Sequence, residues 1–321
     1  MLQLTDSGLE TWLVFHRGVD LPDFAAFPLL DDDDGRALLA EYFRDHLRIA
    51  SQANTPVVLE TPTWRANPDW AARLGYDAPS LDRVNRDAIA FLRKLGHEFD
   101  DVELTVSGNI GPRGDGYDVG EQLTPADAAI YHRPQIDSFA GAGANRVTML
   151  TATHAGEAIG VVQAAVAVGI PVVIAFTVET DGRLPSGQPL HEAITEVDGS
   201  TEGAALHFGV NCAHPDHFND ALNADPVAIS RIALLRANAS RASHAELDAA
   251  EELDDGDPLE LAGLYASLRD RHPHIQVLGG CCGTDSRHVE AIAGACVTPN
   301  GTPPGFVPGG VPLRPFPQVP L

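Results

Sequence analysis

Ile275-Gln276-Val277-Leu278-Gly279-Gly280-Cys281-Cys282-Gly283-Thr284 is a short apolar run that ends in two glycines, two cysteines and a further glycine. Its length and its glycine punctuation are those of a buried parallel strand, read here at 275–279. Seven earlier runs share this form, at 2–5, 57–60, 103–107, 146–150, 172–176, 206–211 and 232–236. Helical periodicity occupies most of the gaps, for example at 35–53, 80–95, 157–168 and 258–271. Eight strand–helix units predict an α/β fold closed as a (β/α)8 TIM barrel. The alternative is an open doubly wound sheet. No Gly-x-Gly-x-x-Gly turn follows the first strand, which weakens a dinucleotide-binding reading.

The chain has 321 residues, 44% of them hydrophobic, enough to bury a large core in one barrel. We read residues 1–296 as that domain and 297–321 as an arm. The arm carries eight prolines and cannot form a regular helix. It is an extended arm on the barrel or on a second copy, or else a flexible tail, so a homo-oligomer is one expectation. Residues 181–188, Asp-Gly-Arg-Leu-Pro-Ser-Gly-Gln, read as a turn-rich loop after the fifth strand. No apolar stretch is long enough to span a membrane, and the N-terminus lacks the basic start of a signal peptide. A cytoplasmic protein is the expectation.

Lys and Arg total 21 against 45 Asp and Glu, a net charge of -24, and Lys94 is the sole lysine. Such a surface repels nucleic acid and anionic membranes, which removes both as partners. Acidic runs such as Asp31-Asp32-Asp33-Asp34 resemble the hydrated surface of proteins that work in high salt.

Four cysteines occur, Cys212, Cys281, Cys282 and Cys296. A bond between neighbours Cys281 and Cys282 is disfavoured, because their Cα atoms lie about 3.8 Å apart, short of the disulfide range. In a barrel of this kind the active site forms at the C-terminal strand ends. Asp6-Ser7-Gly8 ends strand one, Glu60-Thr61 strand two, Asn109 strand three, Asn211-Cys212 strand six and Cys281-Cys282 strand eight. Three of the four cysteines thus converge on one face. Three thiolates suit zinc and leave its fourth position open, the arrangement of a catalytic site. A thiol entering there loses its proton and becomes a nucleophile for a methyl group on a cationic donor. The bland alternative is that these cysteines are small buried apolar residues, as we expect for Cys296.

Gly209-Val210-Asn211-Cys212, the Gly279–Thr284 run and Asp6-Ser7-Gly8 resemble the signature of the homocysteine S-methyltransferase family. Gly108-Asn109-Ile110-Gly111-Pro112 and Phe176-Thr177 are similar to its other barrel motifs, and the likeness runs roughly from Leu4 to Cys296. It implies a zinc-dependent barrel enzyme that methylates homocysteine to methionine with S-methylmethionine, S-adenosylmethionine or betaine. It also implies Cys212, Cys281 and Cys282 as zinc ligands, with the segment around Asp6 and Gly8 on the amino-acid end of homocysteine. A related module begins cobalamin-dependent methionine synthase; no Asp-x-His-x-x-Gly motif for cobalamin occurs here, so that alternative is the methyl-acceptor component of a cobalamin-dependent system working with a separate protein. The family usually carries a glutamate at the end of strand four. Here Met149-Leu150-Thr151-Ala152-Thr153 has none, Ser7 stands for a glycine and Glu60 for a small hydroxyl residue. Glu60 is therefore our candidate partner for the substrate ammonium, or else a structural carboxylate. Ser7, Thr61, Asn109 and Asn211 complete the candidate substrate contacts. A barrel that binds zinc or thiols without catalysis is the competing class, kept open by the strand-four departure.

Other residues carry less. His214 and His217 are expected beside the site rather than on the metal, and His288 on the solvent face of the last helix. Trp64 and Trp70, with Arg65 and Asn67, offer aromatic faces to a cationic donor or else pack in the core.

Overall fold

The computed structural model describes residues 2–297. Eight parallel strands follow one another around a closed barrel: β1 (Gln3–Thr5), β2 (Val57–Glu60), β3 (Leu104–Ile110), β4 (Arg146–Ala152), β5 (Val172–Phe176), β6 (Phe208–Asn211), β7 (Ile232–Ala237) and β8 (Val277–Gly280). Gln3 opposite Val277 and Leu4 opposite Leu278 close the ring. The fold is a (β/α)8 barrel. Strands such as β5, Val-Val-Ile-Ala-Phe, are buried along their whole length, as parallel strands flanked by helices must be.

The helices begin where side chains satisfy their first free N–H groups. Asp32 accepts from the Gly35 N–H and opens Asp33–Ala53. Asp77 and Ser80 form a capping box at Ala78–Gly96, and His154 accepts from the Glu157 N–H at Ala155–Val168. Each of these three helices starts two residues before its apolar periodicity, because the capping residue, not the apolar stripe, sets where it begins. The unit between β6 and β7 departs further, with two short proline-led helices, Pro215–Phe218 and Pro226–Ile229.

β3 and β4 also outrun their apolar segments. Polar side chains within the two strands meet each other, for example Ser107 Oγ and Thr148 Oγ1 at 2.8 Å. β4 then breaks register between Met149 and Ala152, with Thr151 in the left-handed region at φ +61°. The loop at 181–188 folds back on itself through Glu179 N–H to Arg183 O and Leu184 N–H to Gln188 O.

The apolar shell lies between strands and helices, and a smaller cluster of Val58, Leu150, Val173, Ala175, Leu234 and Val277 plugs the lumen. Two ion pairs share that interior, Asp6 with Arg236 at 2.6 Å and Glu60 with Arg146 at 3.5 Å. Buried charges persist only when paired, so each pair ties two strands together above the plug.

His288 differs from expectation. It is fully buried, because it is the third residue of a capping box at Ser286–Cys296 and its Nε2 meets the Asp255 carbonyl at 2.8 Å. Cys296 is buried on the same helix. The arm at 297–321 lies, after Val297, outside the described residues. Among the described residues no helix is long and apolar enough to cross a membrane.

Candidate active site

Cys212 follows β6, and Cys281 and Cys282 follow β8, so two strand ends deliver three thiols. Their sulfur atoms all lie within 4.8 Å of one another, and Cys212 Sγ to Cys282 Sγ is 3.5 Å. Successive residues on a regular strand would point apart. Here β8 ends at Gly280, and the turn that follows needs Gly283 at φ +78°. Cys212 is itself held at φ +55°. Its N–H donates to the Arg236 carbonyl and its own carbonyl accepts from His244 Nε2 at 2.8 Å. Backbone strain kept in place by such bonds is typical of functional positions. Gly8 lets β1 approach: a Cβ there would lie 2.3 Å from the Cys281 carbonyl oxygen.

The three thiols do not titrate alike. Cys212 and Cys282 direct their hydrogen bonds at Cys281, and Arg236 adds attraction, so Cys281 is held well below the ordinary thiol range. The same bonds keep the protons of Cys212 and Cys282, whose values are pushed up. Tyr117, from the loop after β3, brings its hydroxyl to 3.2 Å from Cys212 Sγ and 3.8 Å from Cys282 Sγ. Its ring stacks on His244 with centroids 4.0 Å apart. Burial pushes the Tyr117 phenol well up, so it stays protonated and donates. Asn211 accepts the Thr151 N–H at 2.8 Å and turns its amide toward Cys281 Sγ at 3.8 Å. The β4 irregularity and the β6 strand end are thus one unit.

This donor set fits a metal. Sulfurs around a tetrahedral zinc with Zn–S near 2.3 Å stand roughly 3.8 Å apart, comparable with the separations here. It is the one cluster of three or more potential ligands among the described residues. His214 and His217 are not part of it. His214 caps Pro215–Phe218, and His217 Nε2 meets the Arg241 carbonyl.

Above the sulfurs opens a cavity of about 410 Å³. All of the candidate residues line it: Asp6, Ser7, Gly8, Glu60, Thr61, Asn109, Asn211, Cys212, Cys281 and Cys282. Their availability differs. The Ser7 hydroxyl bonds Tyr42 and His46, its N–H bonds the Tyr42 oxygen and its carbonyl accepts from Arg236. Asp6 is engaged by Arg236, whose guanidinium burial would weaken but whose charge Asp6 and Glu60 secure. Thr61 Oγ1 takes the Asn109 N–H at 2.9 Å and bonds Thr63. Glu60 Oε2 and Asn109 Oδ1, by contrast, are buried and have no hydrogen-bond partner among the described residues. Burial pushes the Glu60 carboxyl up further than Arg146 draws it down.

The aromatic pair after β2 meets a cation supplied by the chain. The Arg65 guanidinium lies 4.2 Å over Trp64 and 3.8 Å over Trp70 and is paired with Asp115 at 3.1 Å. Trp64 lines the cavity, whereas the Trp70 indole N–H donates to the Arg113 carbonyl and anchors the loop that carries Tyr117.

A family model described as homocysteine S-methyltransferase matches residues 3–296. The chain belongs to the homocysteine S-methyltransferase family. A curated relative, homocysteine S-methyltransferase 4 of Zea mays, is 26% identical over 181 residues, 56% of this chain and 52% of the maize protein. The chain therefore spans about half the length of the curated relative it matches. Among solved structures, the oxidised form of the Escherichia coli homocysteine methyltransferase MmuM superposes with a TM-score of 0.74. It is 19% identical, and the match covers 92% of this chain and 95% of that one. The metallated form gives 0.73 at 19% identity, covering 92% and 96%. At that identity the likeness establishes a shared fold.

Within this family member, sequence reading passed over five cavity or site residues: Glu10, Tyr117, Arg146, Arg236 and His244. Arg146 and Arg236 carried a signal, a charge at the start or end of an otherwise apolar strand. Glu10, Tyr117 and His244 had none, because they reach the site from segments outside the strands.

Proposed function

We propose that this chain transfers a methyl group from a sulfonium or quaternary ammonium donor to the thiol of homocysteine, giving methionine. The observation that carries the reading is the convergence of three thiols at the floor of a cavity lined by every candidate substrate residue. Cys212, Cys281 and Cys282 would hold zinc, the metal their sulfur set suits best. When bound, zinc would supply Lewis acidity that lowers the acceptor thiol's pKa into the neutral range.

The chain's own groups do the rest. In the transfer a sulfur–carbon bond forms and the bond from methyl to donor breaks, its electron pair going to the donor's onium atom; the thiol proton leaves to solvent. Tyr117 and Asn211 aim hydrogen-bond donors at the cysteine sulfurs, which disperses their negative charge. The two unpartnered acceptors, Glu60 Oε2 and Asn109 Oδ1, suit the substrate ammonium, which brings three donors. The Asp6–Gly8 segment would lie along the amino-acid end, with Thr61 and Asn211 fixing the walls around it. Holding both reactants in one cavity makes the encounter effectively unimolecular.

The β4 end, where Thr151 and Ala152 stand without a carboxylate, favours a second reading: a barrel that binds metal and thiol without turnover. Methionine formation from homocysteine by zinc-loaded protein, with S-methylmethionine, S-adenosylmethionine and betaine offered separately, tests both. Turnover with one donor, lost together with zinc in Cys282→Ala, is expected. Stoichiometric zinc without turnover of any donor leaves the second reading.

A further inference from the structure

The cations of the cavity wall are already committed. Arg236 belongs to Asp6 at 2.6 Å and Arg65 to Asp115 at 3.1 Å, while the deep carboxylate Glu60 has Arg146 at 3.5 Å. Glu10 differs from Asp6, Glu60 and Asp115, which hold cations, and from Asp248, Glu252 and Asp254, which line the same cavity without an ion pair but are exposed. It lines the same cavity, yet among the described residues no cation stands within ion-pair distance of it and no other residue hydrogen-bonds it. It is only half-buried, whereas Asp6 and Glu60 are nearly closed off, so it stands on the mouth side. Phe15, Phe24 and Trp64 line the same cavity.

A carboxylate drawn from water without a counter-charge is costly. Burial, with the charges of Cys281 and Asp6 nearby, pushes the Glu10 carboxyl up to about 7. A bound cation would remove that cost. Of the two reactants, the thiol must reach the floor of the cavity, where Glu60 and Asn109 await an ammonium. The donor approaches from the mouth, and its defining feature is a fixed positive charge on the atom that bears the methyl group. Aromatic faces beside a carboxylate are the usual wall for such an onium centre.

We propose that Glu10 is a specificity-determining residue that reads the onium charge of the methyl donor, with Phe15, Phe24 and Trp64 completing a cation-selective wall. This rests on the methyltransferase reading. It also explains turnover order: the charge disappears from the donor as the methyl leaves, so the demethylated product loses its hold on Glu10. Because the charge is fullest before transfer, Glu10 strengthens donor binding more than it stabilises the transition state. Replacing it raises the donor KM and leaves kcat unchanged or higher.

The test is equilibrium binding to zinc-loaded protein without any thiol acceptor, so that no methyl moves. Two pairs of probes compare onium charge: S-methylmethionine against methionine, which also differ by one methyl group, and betaine against 3,3-dimethylbutanoate, which differ in the charge alone. The wild type is expected to prefer the charged member of at least one pair by tenfold or more. Glu10→Gln is expected to erase that preference and Glu10→Asp to retain part of it. Equal loss of S-methylmethionine and methionine in Glu10→Gln would mean that Glu10 holds the ammonium, which overturns the proposal. So would an unchanged preference, or a wild type that prefers neither charged probe. Zinc content and homocysteine binding, read by the thiolate-to-metal band of Co2+-loaded protein, are measured on the same samples. If both stand while the preference is absent, only the role of Glu10 fails; if wild type lacks both, the methyltransferase reading fails and takes the proposal with it.

Discussion

Tyr117 offers a change that removes one hydroxyl and leaves its surroundings in place. In Tyr117→Phe the ring still stacks on His244, but the donor at 3.2 Å from Cys212 Sγ is gone. Hydrogen bonds to charged groups contribute about 1.5–3 kcal/mol, or roughly tenfold or more in affinity. We expect Tyr117→Phe to weaken zinc binding by that factor, measured by competition with a chelator, with little change in melting temperature. Equal zinc affinity in the two proteins would make the hydroxyl a bystander. The same residue marks what a sequence can disclose about a site. The three cysteines were legible because each abuts a strand end, and strand ends of a barrel share one face. Tyr117 arrives from the loop after β3 and His244 from the start of a short helix, His244–Asp248, after β7, and no periodicity encodes either path. Glu10 was hidden differently: it follows a legible motif, but its lack of a cation partner is a property of the packed cavity alone.

At the scale of elements, all eight strands were legible as apolar runs because a parallel strand covered on both faces has almost no polar positions. The exceptions follow the same physics. β3 and β4 run on to Ile110 and Ala152, past their apolar segments. They carry polar side chains that pair between the two neighbouring strands, such as Ser107 with Thr148, so polarity there does not mean a loop. The irregularity of β4 had no sequence mark, since Thr151 at φ +61° is held by Asn211 sixty residues away along the chain. Contacts between strand ends are therefore where fold and site meet, and Gly8 tests one. In Gly8→Ala the new Cβ faces the Cys281 carbonyl oxygen at 2.3 Å, a backbone atom that can yield only if β1 or β8 shifts. Such crowding costs about 1–3 kcal/mol, so the barrel should still fold. The displaced Cys281 should bind zinc at least tenfold more weakly. Full zinc occupancy at unchanged affinity would mean that the strand ends move without carrying the thiols.

For the whole molecule, stability should depend on both pH and salt. Burial lowers His46 from 6.5 to about 4 and His207 from 6.5 to about 3, both far inside the fold. Burial holds His46 neutral, with its Nε2 accepting from Ser7, while the bond from its Nδ1–H to the Tyr42 carbonyl draws the value back up. Below pH 6.5 the unfolded chain takes up protons that these folded histidines refuse, so their contribution is complete above 6.5 and is lost as pH falls. Each pH unit between the folded and unfolded values is worth about 1.4 kcal/mol. Glu10 runs the other way, since a carboxyl raised from 4.5 to about 7 favours the folded state at low pH and fades as pH rises. Asp6 and Glu60 are raised by burial as well, but His154, His214, His272 and His274 are lowered like His46 and His207. The lowered histidines thus outnumber the raised carboxyls, and the melting temperature should fall between pH 6.5 and 4. A flat profile there would mean that the histidines are solvated in solution. Salt acts on the surface instead. With 45 acidic residues against 21 Arg and Lys, even complete pairing would leave 24 carboxylates facing one another. Exposed pairs such as Arg44–Glu98 and Arg241–Glu260 gain little individually and lose little to screening. The repulsion among unpaired carboxylates acts over longer distances, so it is what a Debye length shrinking from about 10 Å at 0.1 M to 3 Å at 1 M removes. The melting temperature should therefore rise by several degrees as KCl is raised from 0.1 to 1 M, then level off because screening is nearly complete. A steady climb beyond 1 M would point to general salting-out of apolar surface, and a fall would mean that the surface ion pairs, not the excess carboxylates, govern the balance.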